Sequence, residues 1–103
     1  MKDILLVDDL PEALALIQAS AAQAFPGANC VTASGVTEAI AAAEARRFEL
    51  ALIDLGLADG DGVDVIAHLH RQQPECALVV TTIYDDDQHL FEALQAGAQG
   101  YLL

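Results

Sequence analysis

Basic residues are scarce in this chain: four lysines and arginines stand against sixteen aspartates and glutamates, a formal charge of -12. The four cations are Lys2, Arg46, Arg47 and Arg71, and no stretch of them forms a basic patch. Direct binding of nucleic acid or anionic membrane needs clustered cations, so neither role fits. Long apolar runs are also missing. Windows such as Ala51 to Ile53 or Ala77 to Val80 are far too short to span a bilayer. The opening "MKDILLVDD" breaks into acids at once, which argues against a signal peptide and makes cytoplasmic residence the expectation. Two cysteines, Cys30 and Cys76, do not make a disulfide framework. What the chain does have is 54% hydrophobic residues over 103 positions, enough for one domain with a core of its own.

Short β-rich runs alternate with alanine-rich helical stretches. The strand candidates are Ile4–Val7, Asn29–Ala33, Leu50–Ile53, Leu78–Thr81 and Gly100–Leu103. The first and third are continuously apolar, as strands buried on both faces should be. Between them, Leu14, Ile17, Ala21 and Ala24 form one helical stripe, and Val36, Ala39, Ile40 and Ala43 a second. Val63, Ile66 and Ala67 mark a third helix, stopped by Pro74, and Leu90, Ala93, Leu94 and Gly97 a fourth. This alternation predicts a parallel α/β sheet, because parallel neighbours need crossover connections that place helices on its faces. The pattern closes on a strand with no helix after it. A doubly wound sheet needs both faces covered, so the expectation is a C-terminally truncated domain over residues 1–103.

In such a sheet, ligands bind beyond the carboxyl ends of the strands. Strand one ends "LLVDD", placing Asp8 and Asp9 there; strand three ends "LALID", placing Asp54; strand four ends "VVTT", placing Thr81 or Thr82. Carboxylates gathered at one edge repel one another unless some are protonated or a cation sits among them. An all-oxygen, partly hydrated site suits Mg²⁺ better than zinc, and Mg²⁺ commonly completes its shell with phosphate oxygens. The site therefore reads as one for a phosphoryl group and its metal.

The pieces "ILLVDDLPE", "ALIDLGLADGDGVDVI", "VVTTIYDDD" and "ALQAGAQGYLL" run through essentially the whole chain in order. As a set the chain resembles the receiver domain of bacterial two-component response regulators. The resemblance implies a flavodoxin-like doubly wound sheet of strand order 2-1-3-4-5. It implies that Asp54 accepts a phosphoryl group from a phosphohistidine on a sensor histidine kinase or phosphotransfer protein. Asp9 would ligate Mg²⁺ directly, Asp8 through water, Asp54 through its carboxylate and Gly56 through its backbone carbonyl. Thr82 would donate its hydroxyl to a phosphoryl oxygen, and Tyr101 would turn inward once Thr82 is recruited, biasing the surface of the fourth helix and fifth strand. The ending "GAQGYLL" also resembles receivers attached to helix-turn-helix output domains, so a transcription-regulating parent is implied.

Three departures from the family stand out. Its lysine falls one residue past "YLL", where this chain stops. The usual proline after the acceptor is Ala58, which implies a less rigid loop. The residue after the threonine, often small, is Ile83, which is expected to hinder water and prolong the phosphorylated state. With the final helix missing, exposed apolar sheet is expected to favour self-association.

Rival readings use the same residues. A magnesium-dependent phosphohydrolase with a strand-end Asp nucleophile (the haloacid dehalogenase group) needs a second acid two residues later, where Gly56 stands. Stoichiometric self-modification, not enzymatic turnover, is therefore expected. A flavin binder needs Ser, Thr or Gly donors after strand one, and "VDDLPE" offers repulsion instead. A receiver that is never phosphorylated and serves only as an interaction module is the third alternative. The "ADGDG" stretch lacks the closing glutamate of a calcium loop and reads as a solvated connector. Asp85, Asp86 and Asp87 favour the amino end of the fourth helix electrostatically. His68 and His70, two apart on a helix, diverge, so they make no zinc site with the distant His89. Cys30 and Cys76 read as small buried hydrophobes about 14 Å apart at ~4.8 Å per strand, beyond the ~7 Å reach of a disulfide. Phe25, Phe48 and Tyr84 read as packing residues.

Overall fold

The computed structural model describes residues 2–81 and 86–102. Five parallel strands form the main sheet: β1 (Asp3–Val7), β2 (Asn29–Ala33), β3 (Leu50–Ile53), β6 (Ala77–Val80) and β7 (Gly100–Tyr101), ordered β2-β1-β3-β6-β7. The helices are α1 (Pro11–Ala24), α2 (Val36–Ala45), α3 (Gly62–Gln72) and α4 (Asp87–Ala96). Counted along the main sheet alone, this is the expected 2-1-3-4-5 order. A two-stranded antiparallel hairpin, β4 (Gly56–Leu57) with β5 (Gly60–Asp61), was not foreseen and follows directly on β3. The fourth strand of the sheet starts and ends one residue earlier than expected, and the last strand is shorter.

Register positions the site. Val7 lies level with Ile53, Ile53 with Val80, and Val80 with Tyr101. Backbone bonds continue the ladder one step further: Asp54 N–H donates to Val7 C=O (2.9 Å), Thr81 N–H to Ile53 C=O (3.0 Å) and Leu102 N–H to Val80 C=O (2.7 Å). The residues that close the strands therefore emerge side by side rather than staggered.

Strand alternation divides the apolar residues between two unequal faces. Leu5, Val7, Ala51, Ile53, Leu78 and Val80 are buried under α2, α3 and α4, which pack one against the next. On the opposite face α1 covers β1 and β2, burying Ile4 and Leu6. Leu50, Leu52 and Val79 remain half-buried there, in a groove of about 820 Å³ alongside α1. The α1 stripe read from the sequence is correspondingly weak: Ala21 is buried, Leu14 and Ile17 are half-buried and Ala24 is exposed. On α3 the buried stripe is Gly62, Val65, Ile66 and Leu69, whereas Val63 and Ala67 lie at its margin.

At the far edge of the sheet, Gln73 does what no apolar residue could. Its Oε1 accepts from Phe48 N–H (2.8 Å), and its Nε2 donates to the carbonyls of Ala43 and Arg46 (both 2.9 Å). One buried side chain thus satisfies the carboxyl end of α2 and the entry to β3. Gln73→Leu preserves bulk but strands those three groups. Urea denaturation should show a loss of roughly 2–4 kcal/mol; a loss below about 0.5 kcal/mol would mean that water substitutes freely.

Candidate functional site

Carboxylate oxygens of Asp8, Asp9 and Asp54 lie within 4.8 Å of one another at the carboxyl edge of the sheet. Asp8 and Asp9 leave β1 together, and Asp54 leaves β3, its immediate neighbour. Adjacency in the sheet, not in sequence, makes the cluster.

Asp8 is 5% exposed, and its Oδ1 accepts from Leu10 N–H at 3.0 Å. Burial pushes its carboxyl above the ordinary aspartate value; the Leu10 N–H opposes this, while the charges of Asp54 and Asp9 push it further up. Asp9 and Asp54 are half-buried. An all-oxygen donor set of clustered carboxylates fits a hard divalent cation, with Asp8, Asp9 and Asp54 as the residues that could hold it. Gly56, on β4 two residues beyond Asp54, is exposed and lines the same groove as Asp8 and Asp54.

The loop after Asp54 is braced, not loose. Gly62 N–H donates to Leu55 C=O at 2.9 Å, and a Cβ at Gly62 would lie 2.3 Å from the carbonyl oxygen of Asp54, so only glycine fits. Asp59 reaches across to α2, where Oδ1 accepts from Val36 N–H (2.7 Å) and Oδ2 from Thr37 N–H (3.2 Å). Those bonds hold its carboxyl below the ordinary aspartate value. Asp61 caps α3, accepting from Val63 N–H at 2.9 Å, and also meets His89 on α4. The "ADGDG" stretch is the mostly exposed connector expected, and its two aspartates in addition hold the amino ends of α2 and α3. The Asp61 cap was legible, since "DGVD" ahead of an apolar run is a helix-start signal. The Asp59 bridge was not, because its partner lies 23 residues away.

Tyr101 is 50% exposed on β7, level with Val80. The hydroxyl of Thr81 is buried without a partner among the described residues and lines the groove beside Asp54. Thr82, Ile83, Tyr84 and Asp85 lie outside the described residues. Asp86 caps α4, accepting from His89 N–H at 2.7 Å. Cys30 is half-buried and Cys76 buried, both as free thiols; burial raises the Cys76 thiol to about 11. Phe48 is buried, and Lys2 Nζ lies 5.8 Å from the centre of the Phe25 ring. No helix among the described residues is long and apolar enough to cross a membrane.

The raised Asp8 carboxyl has a defined consequence. The folded state binds this proton more tightly than the unfolded chain, so the stabilisation is full at low pH and lost as pH rises through the folded-state pKa. Asp8→Asn keeps the Leu10 bond and removes the charge. In metal-free buffer at pH 7 it should melt a few degrees above the unaltered chain, with the gain shrinking as pH falls into the carboxylate range. A gain that persists unchanged at low pH would contradict the assignment.

The chain matches the family model of the response regulator receiver domain over residues 4–103. It is 37% identical over 101 residues to the photosynthetic apparatus regulatory protein RegA of Cereibacter sphaeroides, covering 98% of this chain and 54% of that protein. It is 34% identical over 100 residues to the alginate biosynthesis transcriptional regulatory protein AlgB of Pseudomonas aeruginosa, covering 97% of this chain and 22% of that protein. The chain thus spans about half the length of the first relative and under a quarter of the second. A Burkholderia pseudomallei response regulator, solved with a phosphorylated aspartic acid, a calcium ion and citrate, superposes with a TM-score of 0.86 at 31% identity, over 99% of this chain and 59% of that one. A five-stranded parallel sheet with its acids gathered at the carboxyl edge, together with these matches, makes the chain a member of the response regulator receiver family.

Proposed function

We propose that this chain is a phosphorylation-dependent switch in which Asp54 takes a phosphoryl group from a phosphohistidine on a sensor kinase or phosphotransfer protein. The observation that carries the reading is the convergence of Asp8, Asp9 and Asp54 within 4.8 Å. Asp9, Asp8, the Asp54 carboxylate and the Gly56 carbonyl would hold Mg²⁺. When bound, that ion offsets the carboxylate charge and neutralises phosphoryl oxygens during transfer.

This chain's own residues supply position. Gly62 and the hairpin fix the backbone of Asp54, so its side chain projects from a restrained loop rather than a mobile one. A positioned carboxylate attacking an anionic donor needs little further covalent assistance. Thr82 would donate to a phosphoryl oxygen, and Tyr101 would leave its exposed position for the space that Thr82 vacates. The modification is stoichiometric, which separates this reading from a phosphohydrolase that turns over.

Relatives described as transcriptional regulators support an output in transcription, exerted through a separate helix-turn-helix module in a cytoplasmic protein. The open groove beside α1 supports self-association of the chain.

Incubation with acetyl phosphate and Mg²⁺, followed by intact mass measurement, should add one phosphoryl group to the unaltered chain and none to Asp54→Ala. Chelating the metal should slow labelling roughly tenfold or more. Equal labelling of the two proteins would refute Asp54 as the acceptor.

A further inference from the structure

α4 begins just after the segment that holds Thr82, and although it packs along α3 it buries little apolar side chain of its own. Ala93 is its one buried residue, Leu90 packs half-buried against the core, and Phe91 and Leu94 are 54% and 41% exposed. A helix with so little buried apolar surface belongs to the low-stability part of a fold. At its carboxyl end, Gly97 (φ 132°) sits against the His70 ring of α3, where a Cβ would come within 2.6 Å of that ring. At its amino end the hold is polar: His89 Nε2 lies 2.8 Å and 2.9 Å from the two carboxylate oxygens of Asp61.

Asp61 is not an ordinary surface acid. It pairs with Gly56 across the hairpin that follows Asp54, it caps α3, and it directly precedes Gly62, whose backbone is pressed against the Asp54 carbonyl. Asp54 and Asp61 are therefore linked by packed main chain within a few residues. His89 then connects Asp61 to the first turn of α4, where its own N–H is held by Asp86.

We propose that His89 and Asp61 form a latch that clamps the amino end of α4 to the loop carrying Asp54, so that the state of one constrains the other. The hold on α4 is separable from the site itself: neither residue belongs to the Asp8, Asp9 and Asp54 cluster. His89 is thus a positioning residue for the helix, acting on the loop through Asp61. The link to phosphorylation rests on the function proposed above, whereas the latch in the unmodified chain does not.

Hydrogen–deuterium exchange of the unmodified chain tests the clamp directly. His89→Ala should speed exchange of the α4 amides roughly twofold to fivefold, the scale of one partly exposed polar contact. Exchange in α2 should not change. Asp61→Asn retains a good cap for α3 and should give an effect of the same kind. The double variant should exchange no faster in α4 than His89→Ala alone. Unchanged α4 exchange in His89→Ala, or effects of the two substitutions that multiply, would overturn the latch. A second arm repeats the measurement after acetyl phosphate treatment. His89→Ala should still be labelled at Asp54 to the same extent, but should lose at least half of the label-induced change in α4 protection. The same change in both proteins would show that coupling runs elsewhere and would overturn this part of the proposal. Failure of the unaltered chain to take label at all would refute the phosphoacceptor reading and leave the first arm to decide the clamp.

Discussion

Like charges brought together in a partly buried place repel, and here the fold holds three carboxylates within 4.8 Å of one another in spite of that. The arrangement persists because the main-chain ladder continues past the strand ends. Asp8 and Asp54 are fixed by backbone bonds to Ala33 and Val7 before their side chains enter into the matter. Sheet register, set by apolar burial on both faces, overrides local electrostatics. Burial, with the neighbouring charges of Asp54 and Asp9 adding to it against the Leu10 N–H, holds the Asp8 carboxyl above its ordinary value.

Charge elsewhere is sorted along the same axis. Each basic residue lies at the amino edge of the sheet: Lys2 before β1, Arg46 and Arg47 between α2 and β3, and Arg71 in the last turn of α3. Glu12, Glu38, Asp64 and Asp87 occupy first turns of the four helices, at the carboxyl edge with the cluster. Helix amino ends carry partial positive charge, and capping by Asp59, Asp61 and Asp86 uses it. The helix amino ends offset part of the negative field, and Asp59 and Asp61 tie the acceptor loop to α2, α3 and α4. No lysine or arginine stands at that edge among the described residues, which fits the divalent cation proposed for the site.

Much of this was legible in the residues themselves. Uninterrupted apolar runs at Ile4–Val7 and Leu50–Ile53 announced buried parallel strands, and the acid closing each run located the site. Proline and glycine punctuation placed the helices. The burial stripes were less legible: α1 is alanine-rich with apolar residues around much of its circumference, so periodicity could not say which side lies against the sheet. Leu16, on the face that periodicity left out, is 71% exposed and lines the groove. The braces of the acceptor loop were hidden for another reason. Asp59 and His89 act across 23 and 28 residues respectively, and no local pattern carries such a distance. Gln73 was hidden too, since a buried glutamine looks like any polar residue near a helix end until its three partners are seen.

Repulsion among the carboxylates at this edge would be relieved by a hard cation, so the ion should stabilise the folded state. Calorimetric melting of the unaltered chain in chelator, then across millimolar Mg²⁺, tests this most directly. A saturable rise in melting temperature is expected, as required for an ion that binds the folded state alone, and a much smaller rise when Asp54 and Asp9 are both changed to asparagine. A melting temperature indifferent to Mg²⁺, or a rise equal in the two proteins, would contradict it.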